Sequence, residues 1–246
     1  MNWRKACLAI FISSLFLYCA NLSGSEDSYL QARNKLVILI DRDVRDTRLY
    51  LDKIALESRV MAAIATVPRH EFVPAESRHL AYLNRPLAIG FGQTISQPYI
   101  VAVMTDLLRT NPDDIVLEIG TGSGYQAAIL AELVSRVYTI EIIEPLGQRA
   151  KKTLQQLGYR NVETKIGDGY YGWEEYAPFD AIVVTAVASH IPAPLIRQLK
   201  RGGRMILPVG TRFLTQQLVI VEKDAQGAIS TRQILPVRFV PLTGGH

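Results

Sequence analysis

Cysteine is nearly missing from this chain. Its two cysteines, Cys7 and Cys19, both fall within the first 20 residues. Everything after them is therefore without a disulfide framework, a thiolate zinc cluster or a cysteine nucleophile. The histidines, His70, His79, His190 and His246, show no metal-ligand spacing, so no metal is expected. A strong charge bias is absent too. The 27 basic and 23 acidic residues leave a net +4, and no basic stripe interleaves with aromatics. That speaks against nucleic acid as a partner. The apolar run from Ala6 to Ala20 falls short of the roughly 20 residues that a spanning helix needs.

That run has the form of a targeting segment. Arg4 and Lys5 precede it, and Ser23-Gly24-Ser25 offers small residues for cleavage before Glu26. Residues 1–25 are expected to be a signal peptide or membrane anchor, with any membrane contact confined to residues 6–20. An uncleaved anchor or a misassigned start would read the same way. Tyr18 departs from the small residue expected before a lipoprotein cysteine. Residues 26–246 are expected to form one domain, with a helical cap and polar loop over 26–110 and a sheet over 111–246.

The cap is expected from residues 27–66, where Leu36, Leu39, Ile40, Leu51, Ile54 and Ala55 recur at helical spacing. Val67-Pro68 ends this region. Residues 84–98, with Pro86, Gly90, Gly92 and Pro98, read as a loop, and a helix from Tyr99 to Arg109 follows. From Ile115 the pattern changes. A short, mostly apolar run at 115–119 and further strands at 137–140, 162–166, 179–185 and 205–207 alternate with helical stretches at 126–134, 145–157 and 194–199. Gly202-Gly203 is expected to stop the last of these helices. Alternation of this kind predicts an α/β fold, a Rossmann-like and mostly parallel sheet with helices on both faces. Two longer β segments, 216–222 and 231–240, flank Asp224-Ala225-Gln226-Gly227 as a hairpin, so one of them runs antiparallel.

Three signals fall at predicted strand ends. Glu118-Ile119-Gly120-Thr121-Gly122-Ser123-Gly124 joins a strand to a helix. It fails the dinucleotide fingerprint because Tyr125 stands where a glycine is required, and no Gly-Lys-Ser/Thr makes it a P-loop. An ordinary tight turn would also suit it. Glu141, about twenty residues on, can accept both hydrogen bonds of a ribose diol, though exposed acids at strand ends are common. Asp168, in Gly167-Asp168-Gly169, can accept from an adenine amino group; Asp-Gly also favours turns on its own. A ligand with ribose and adenine but no pyrophosphate is best matched by S-adenosylmethionine.

A fourth motif, Gly90-Phe91-Gly92-Gln93-Thr94-Ile95-Ser96-Gln97-Pro98, resembles that of the protein-L-isoaspartate O-methyltransferases, which are class I methyltransferases. The resemblance covers about residues 30–243. It includes Val67-Pro68-Arg69, Phe72-Val73, the glycine turn, Gly167-Asp168-Gly169 and the ending Arg238 to Thr243. It implies methyl transfer from S-adenosylmethionine to the free α-carboxylate of L-isoaspartyl, and in the family D-aspartyl, residues in damaged proteins. Repair then proceeds through a succinimide. It implies that Ser96 is the catalytic-loop residue, its hydroxyl holding the substrate carboxylate in line. Gln93, Thr94 and Ile95 would line the site near the sulfonium. Gly120, Gly122 and Gly124 would approach the methionine part of the cofactor, Glu118 would tie down their loop, Gly169 would stand with Asp168 beside the adenine, and Thr243 would close the site. Tyr170, Tyr171 and Trp173 are expected either to border the site or to pack. Lys151-Lys152 reads as a solvated helix face and Lys200-Arg201 as a basic helix end.

Two other readings stay open at this level: a class I methyltransferase with another acceptor, and a cofactor-binding protein without catalysis. The family expectation is a cytoplasmic monomer, because the methyl donor is made in the cytoplasm. The N-terminal segment points instead to the cell envelope.

Overall fold

The computed structural model describes residues 27–211 and 214–245. The expected targeting segment, both cysteines and His246 lie outside these residues. Helix α1 spans 27–46 and α2 spans Arg48–Leu51. Leu36, Ile40 and Val44, one turn apart, bury the inner stripe of α1, and Leu51 continues it. The helical expectation fails at Ile54 and Ala55, and Leu39, though helical, is exposed. Leu39 sits off the buried row. Asp52 takes a left-handed conformation (φ 55°) that ends α2, so the helical period does not reach Ile54 and Ala55. Helix α3, Ser58–Thr66, completes the cap.

Residues 84–98 are not a plain loop. They hold an antiparallel hairpin of β1, Leu87–Gly90, and β2, Gln93–Ile95. Gly90, Phe91 and Gly92 all have positive φ and reverse the chain within three residues. Leu87, Ile89 and Ile95 are buried, an alternation beside Gly-Phe-Gly that marks a hairpin. Helix α4, Pro98–Leu108, follows, with proline at its first turn.

The remaining elements are β3 (Ile115–Ile119), α5 (Tyr125–Ala131), β4 (Arg136–Glu141), α6 (Glu144–Gln156), β5 (Val162–Ile166), β6 (Phe179–Val184), α7 (Ala193–Gln198), β7 (Leu199–Val209), β8 (Gln216–Lys223) and β9 (Ile229–Val237). They build a seven-stranded sheet in the order β5-β4-β3-β6-β7-β8-β9. The first five strands in that order are parallel, β8 is antiparallel to β7, and β9 is antiparallel to β8. The β8–β9 turn forms where expected: the Asp224 carboxylate accepts from the Gln226 and Ala228 N–H groups, and Gly227 adopts φ 92°.

Strand β7 is much longer than the expected 205–207, and Gly202-Gly203 lies inside it rather than ending α7. The bulge between its pairings to Phe179 and Ala181 is accommodated there. A Cβ on Gly203 would sit 2.7 Å from the Asp180 carbonyl oxygen. Lys200 is accordingly a strand residue bonded to Asp180 at 2.5 Å, not a helix end.

Alternate residues of the central strands feed two cores. Val116, Ala181 and Val183 face the larger one, with α1, α3, α4, α5 and α6; Leu117, Ile119, Ile182 and Val184 face the smaller, with Leu195 of α7 and Trp173. Helices thus cover both faces, unequally. Trp173 packs edge-on against Tyr138 and Tyr176, which settles its role as packing. Among the described residues no helix is long and apolar enough to cross a membrane.

The connection between α2 and α3 is tied to α4 by Asp106. Its wholly buried carboxylate accepts from the Glu57 N–H at 2.7 Å and from Lys53. Because Lys53 remains partly exposed, Asp106→Ala is expected to cost about 2–3 kcal/mol. Urea unfolding checks this; a loss below about 1 kcal/mol would mean the pair is a surface-like contact.

Candidate active site and cofactor cleft

Strand β3 pairs with β4 on one side and β6 on the other. The chain leaves β3 for β4 and returns to β6, so a crevice opens beyond the carboxyl ends of these strands. That switch point is where open α/β sheets bind ligands. A cleft of about 530 Å³ lies there, lined by Gln93, Thr94, Gly120, Gly122, Glu141, Gly169 and Thr243 among the predicted residues. A smaller chamber of about 310 Å³ shares Thr94, Gly120 and Gly122 with it and adds Ile95, Ser96 and Glu118.

The glycine turn is held by its neighbours. The N–H groups of Gly120 and Thr121 both donate to the Ile140 carbonyl, at 2.9 and 3.1 Å. The Thr185 hydroxyl donates to the Gly120 carbonyl at 2.6 Å. Gly120 has φ 92°, and a Cβ there would meet Thr185 Oγ1 at 2.5 Å, so only glycine fits. Glu141, at the end of β4, is buried; its Oε2 accepts from Gly122 N–H at 2.7 Å and its Oε1 from Ile143 N–H at 3.0 Å. A carboxylate has about four acceptor directions, so two remain for a ligand in the cleft that Glu141 lines.

Glu118 is wholly buried. Thr139 donates to its Oε2 at 2.6 Å, and the Thr139 and Thr121 hydroxyls are 2.6 Å apart. This chain ties the turn to the sheet. Glu118 Oε1 has no hydrogen-bond partner. Burial is the main cause that pushes the Glu118 carboxyl up to about 8; the Thr139 hydrogen bond opposes the shift and the Glu141 charge adds to it. The unpartnered oxygen of Glu118 and the open acceptor directions of Glu141 suit a ligand that brings hydrogen-bond donors, as the ribose hydroxyls of S-adenosylmethionine do.

The far wall is the C-terminal segment. Val187 N–H donates to the Val240 carbonyl and Leu242 N–H to the Val187 carbonyl, both at 2.8 Å. This brings Val240 to Thr243 over the cleft. The hydroxyl of Ser96 is engaged by no other described residue.

Two predicted residues stand apart. Gly124 precedes the first residue of α5, and a Cβ there would meet Leu154 and Ala150 of α6 rather than the cleft. Asp168 is outside the lining; its carboxylate accepts from the Tyr170 and Gly245 N–H groups. Gly169 takes its place, since a Cβ there would meet Ile119 at 2.4 Å. Sequence reasoning missed Thr185, Ile140 and Ile142. Thr185 directly follows β6, so the strand-end rule that found Glu141 could have found it. No cluster of three or more His, Cys, Asp or Glu able to hold a metal occurs among the described residues.

Residues 47–246 match the family model for protein-L-isoaspartate(D-aspartate) O-methyltransferase. The chain belongs to this family. It is 60% identical over 99% of both chains to protein-L-isoaspartate O-methyltransferase 2 of Syntrophobacter fumaroxidans. To protein-L-isoaspartate O-methyltransferase 1 of Nitrosospira multiformis it is 66% identical over the whole of both chains. A solved protein-L-isoaspartate O-methyltransferase superimposes with a TM-score of 0.74 at 28% identity, covering 86% of this chain and 66% of the other. A Plasmodium falciparum structure, described as a candidate member of the same family in complex with S-adenosyl-L-homocysteine, shares the fold with a TM-score of 0.66 at 24% identity, covering 83% and 96%. As a protein-L-isoaspartate O-methyltransferase, this chain is an enzyme that uses S-adenosylmethionine to methylate isoaspartyl residues.

The buried Glu118 carries a stability consequence. Its folded value lies above the unfolded value of 4.5, so the folded state holds the proton more tightly. Its contribution is complete below about 4.5 and is lost as pH rises through about 8. The wild type should therefore lose stability relative to Glu118→Gln between pH 5 and pH 8, by a few kcal/mol at most. Urea midpoints of both proteins at the two pH values check this, and a pH-independent difference would contradict it.

Proposed function

We propose that the β1–β2 hairpin presents the isoaspartyl carboxylate to the cofactor cleft and that Ser96 is the residue that orients it. The convergence of the hairpin, the glycine turn and the C-terminal segment on one crevice carries this reading. When bound, S-adenosylmethionine supplies a methyl group made electrophilic by its sulfonium. We assign Glu141 to the ribose hydroxyls, Gly120 and Gly122 to the methionine part and Gly169 to the adenine wall. Gly124 acts one step out by seating α5 on α6, and Asp168 by holding Gly245. Glu118 braces the turn through Thr139. Gln93, Thr94 and Ile95 line the space beside the sulfonium, and Thr243 closes it.

An α-carboxylate with a pKa of about 3.5 is ionised at pH 7, so no general base is needed. The residues' work is alignment and the exclusion of water, which supplies up to about 7–11 kcal/mol of barrier lowering. The methyl ester then closes without the enzyme. The following backbone nitrogen attacks the ester carbonyl, methanol leaves, and water opens the succinimide in part to normal aspartate. We place the reaction in the cytoplasm, where the donor is made, with the enzyme acting as a monomer. Recovery of a chain beginning near Glu26 from outside the cytoplasm would reverse that placement.

With labelled cofactor and two matched peptides, base-labile ester should form on the isoaspartyl peptide and not on its aspartyl isomer. Ser96→Ala should lower kcat by roughly 10- to 100-fold, the worth of one hydrogen bond to a charged group. Equal labelling of both peptides, or an unchanged kcat, would contradict the reading.

A further inference from the structure

Arg69 is wholly buried, and no carboxylate faces it among the described residues; the ionisable groups around it are Tyr125 and Tyr82. An interior cation without a counter-charge is costly, and an apolar side chain of similar volume would fill the space more cheaply. Burial lowers the guanidinium only to about 10, so it is charged at neutral pH. What the guanidinium does have is a set of carbonyls. Its Nε donates to Ala81 O at 2.8 Å, and its Nη2 donates to Ser96 O at 2.8 Å and to Arg85 O at 3.5 Å. Its Cζ lies over the Tyr125 ring, 4.8 Å from the centroid. Tyr125 is the first residue of α5, directly after the glycine turn.

Ser96 lies just past β2 and two residues before the proline that starts α4, with Gln97 between them. It is therefore beyond the hairpin ladder and outside the helix. Arg69 supplies the hold that neither element gives. One guanidinium fork thus joins the acceptor-side loop to the helix that follows the cofactor turn. A lysine would keep the charge but could not span these carbonyls while lying over the ring.

We propose that Arg69 is a positioning residue of the methyl transfer: by gripping the Ser96 carbonyl while held over the Tyr125 ring, it sets where the Ser96 hydroxyl stands relative to the cofactor turn. This rests on the role proposed for Ser96, and the test separates the two. Arg69→Lys, Ser96→Ala and the double variant of the full chain are assayed on an isoaspartyl peptide. Titration with S-adenosylhomocysteine counts the competent sites, so kcat is expressed per folded site. Arg69→Lys should lower kcat per site by about tenfold or more, and by less than about twofold when Ser96 is already alanine. If Arg69→Lys yields too few competent sites, Tyr125→Leu, which withdraws only the ring, should show the same dependence on Ser96. Equal fold-losses in both backgrounds overturn the proposal. So does a fall in the number of competent sites with kcat per site unchanged. A Ser96→Ala enzyme of full activity overturns the Ser96 role itself, and Arg69's action through it.

Discussion

Two buried carboxylates at the ends of adjacent strands are the constraint on which the site depends. Glu118, one residue before the end of β3, and Glu141, the last residue of β4, between them fix the glycine turn, Glu141 by accepting from Gly122 and Glu118 through the Thr139–Thr121 hydroxyls. Buried acids are expensive unless satisfied. Glu141 is satisfied by two backbone donors, whereas Glu118 is left with one bare oxygen and a raised pKa. Stability is thus surrendered at the spot where, in our reading, a cationic cofactor is received. Strain and incomplete pairing of this kind concentrate at functional sites.

The rest of the molecule brings three separate stretches to that turn. The parallel sheet sets the crevice. The β1–β2 hairpin reaches it from the cap side, and Arg149 of α6 ties the hairpin down by donating to the Ile89 carbonyl. The C-terminal segment reaches it from the other side, paired with residue 187. None of the three contains a complete site. Residues 93 to 96 and 240 to 243 are distant in sequence and meet only because the sheet order places them there.

Much of this was legible in the sequence. Apolar runs found the central parallel strands β3 and β6, because strands buried on both faces cannot hide their composition. The strand ends then pointed to Glu118, Gly120, Glu141 and Gly169. What stayed hidden depended on backbone conformation. The hairpin at 87–95 reads as a loop because its turn needs three left-handed residues, one of them Phe91. The start of β7 reads as a helix end because Gly202-Gly203 serves a bulge there. Asp168 has a suitable side chain and Gly124 a suitable place in the turn, yet the first is bonded to Gly245 and the second is packed against α6. Arg69 entered only as part of the Val67-Pro68-Arg69 resemblance, since nothing in those three residues announces a buried cation.

The central claim is that the carboxylate ending β4 both shapes the turn and receives the cofactor. Calorimetric titration of S-adenosylhomocysteine into the wild type and Glu141→Gln tests it most directly. The amide turns an acceptor into a donor against either Gly122 or Ile143 N–H. The dissociation constant should then rise at least about thirtyfold, or roughly 2 kcal/mol. A dissociation constant within about threefold of wild type would contradict the account and leave Glu141 as an ordinary strand-end acid.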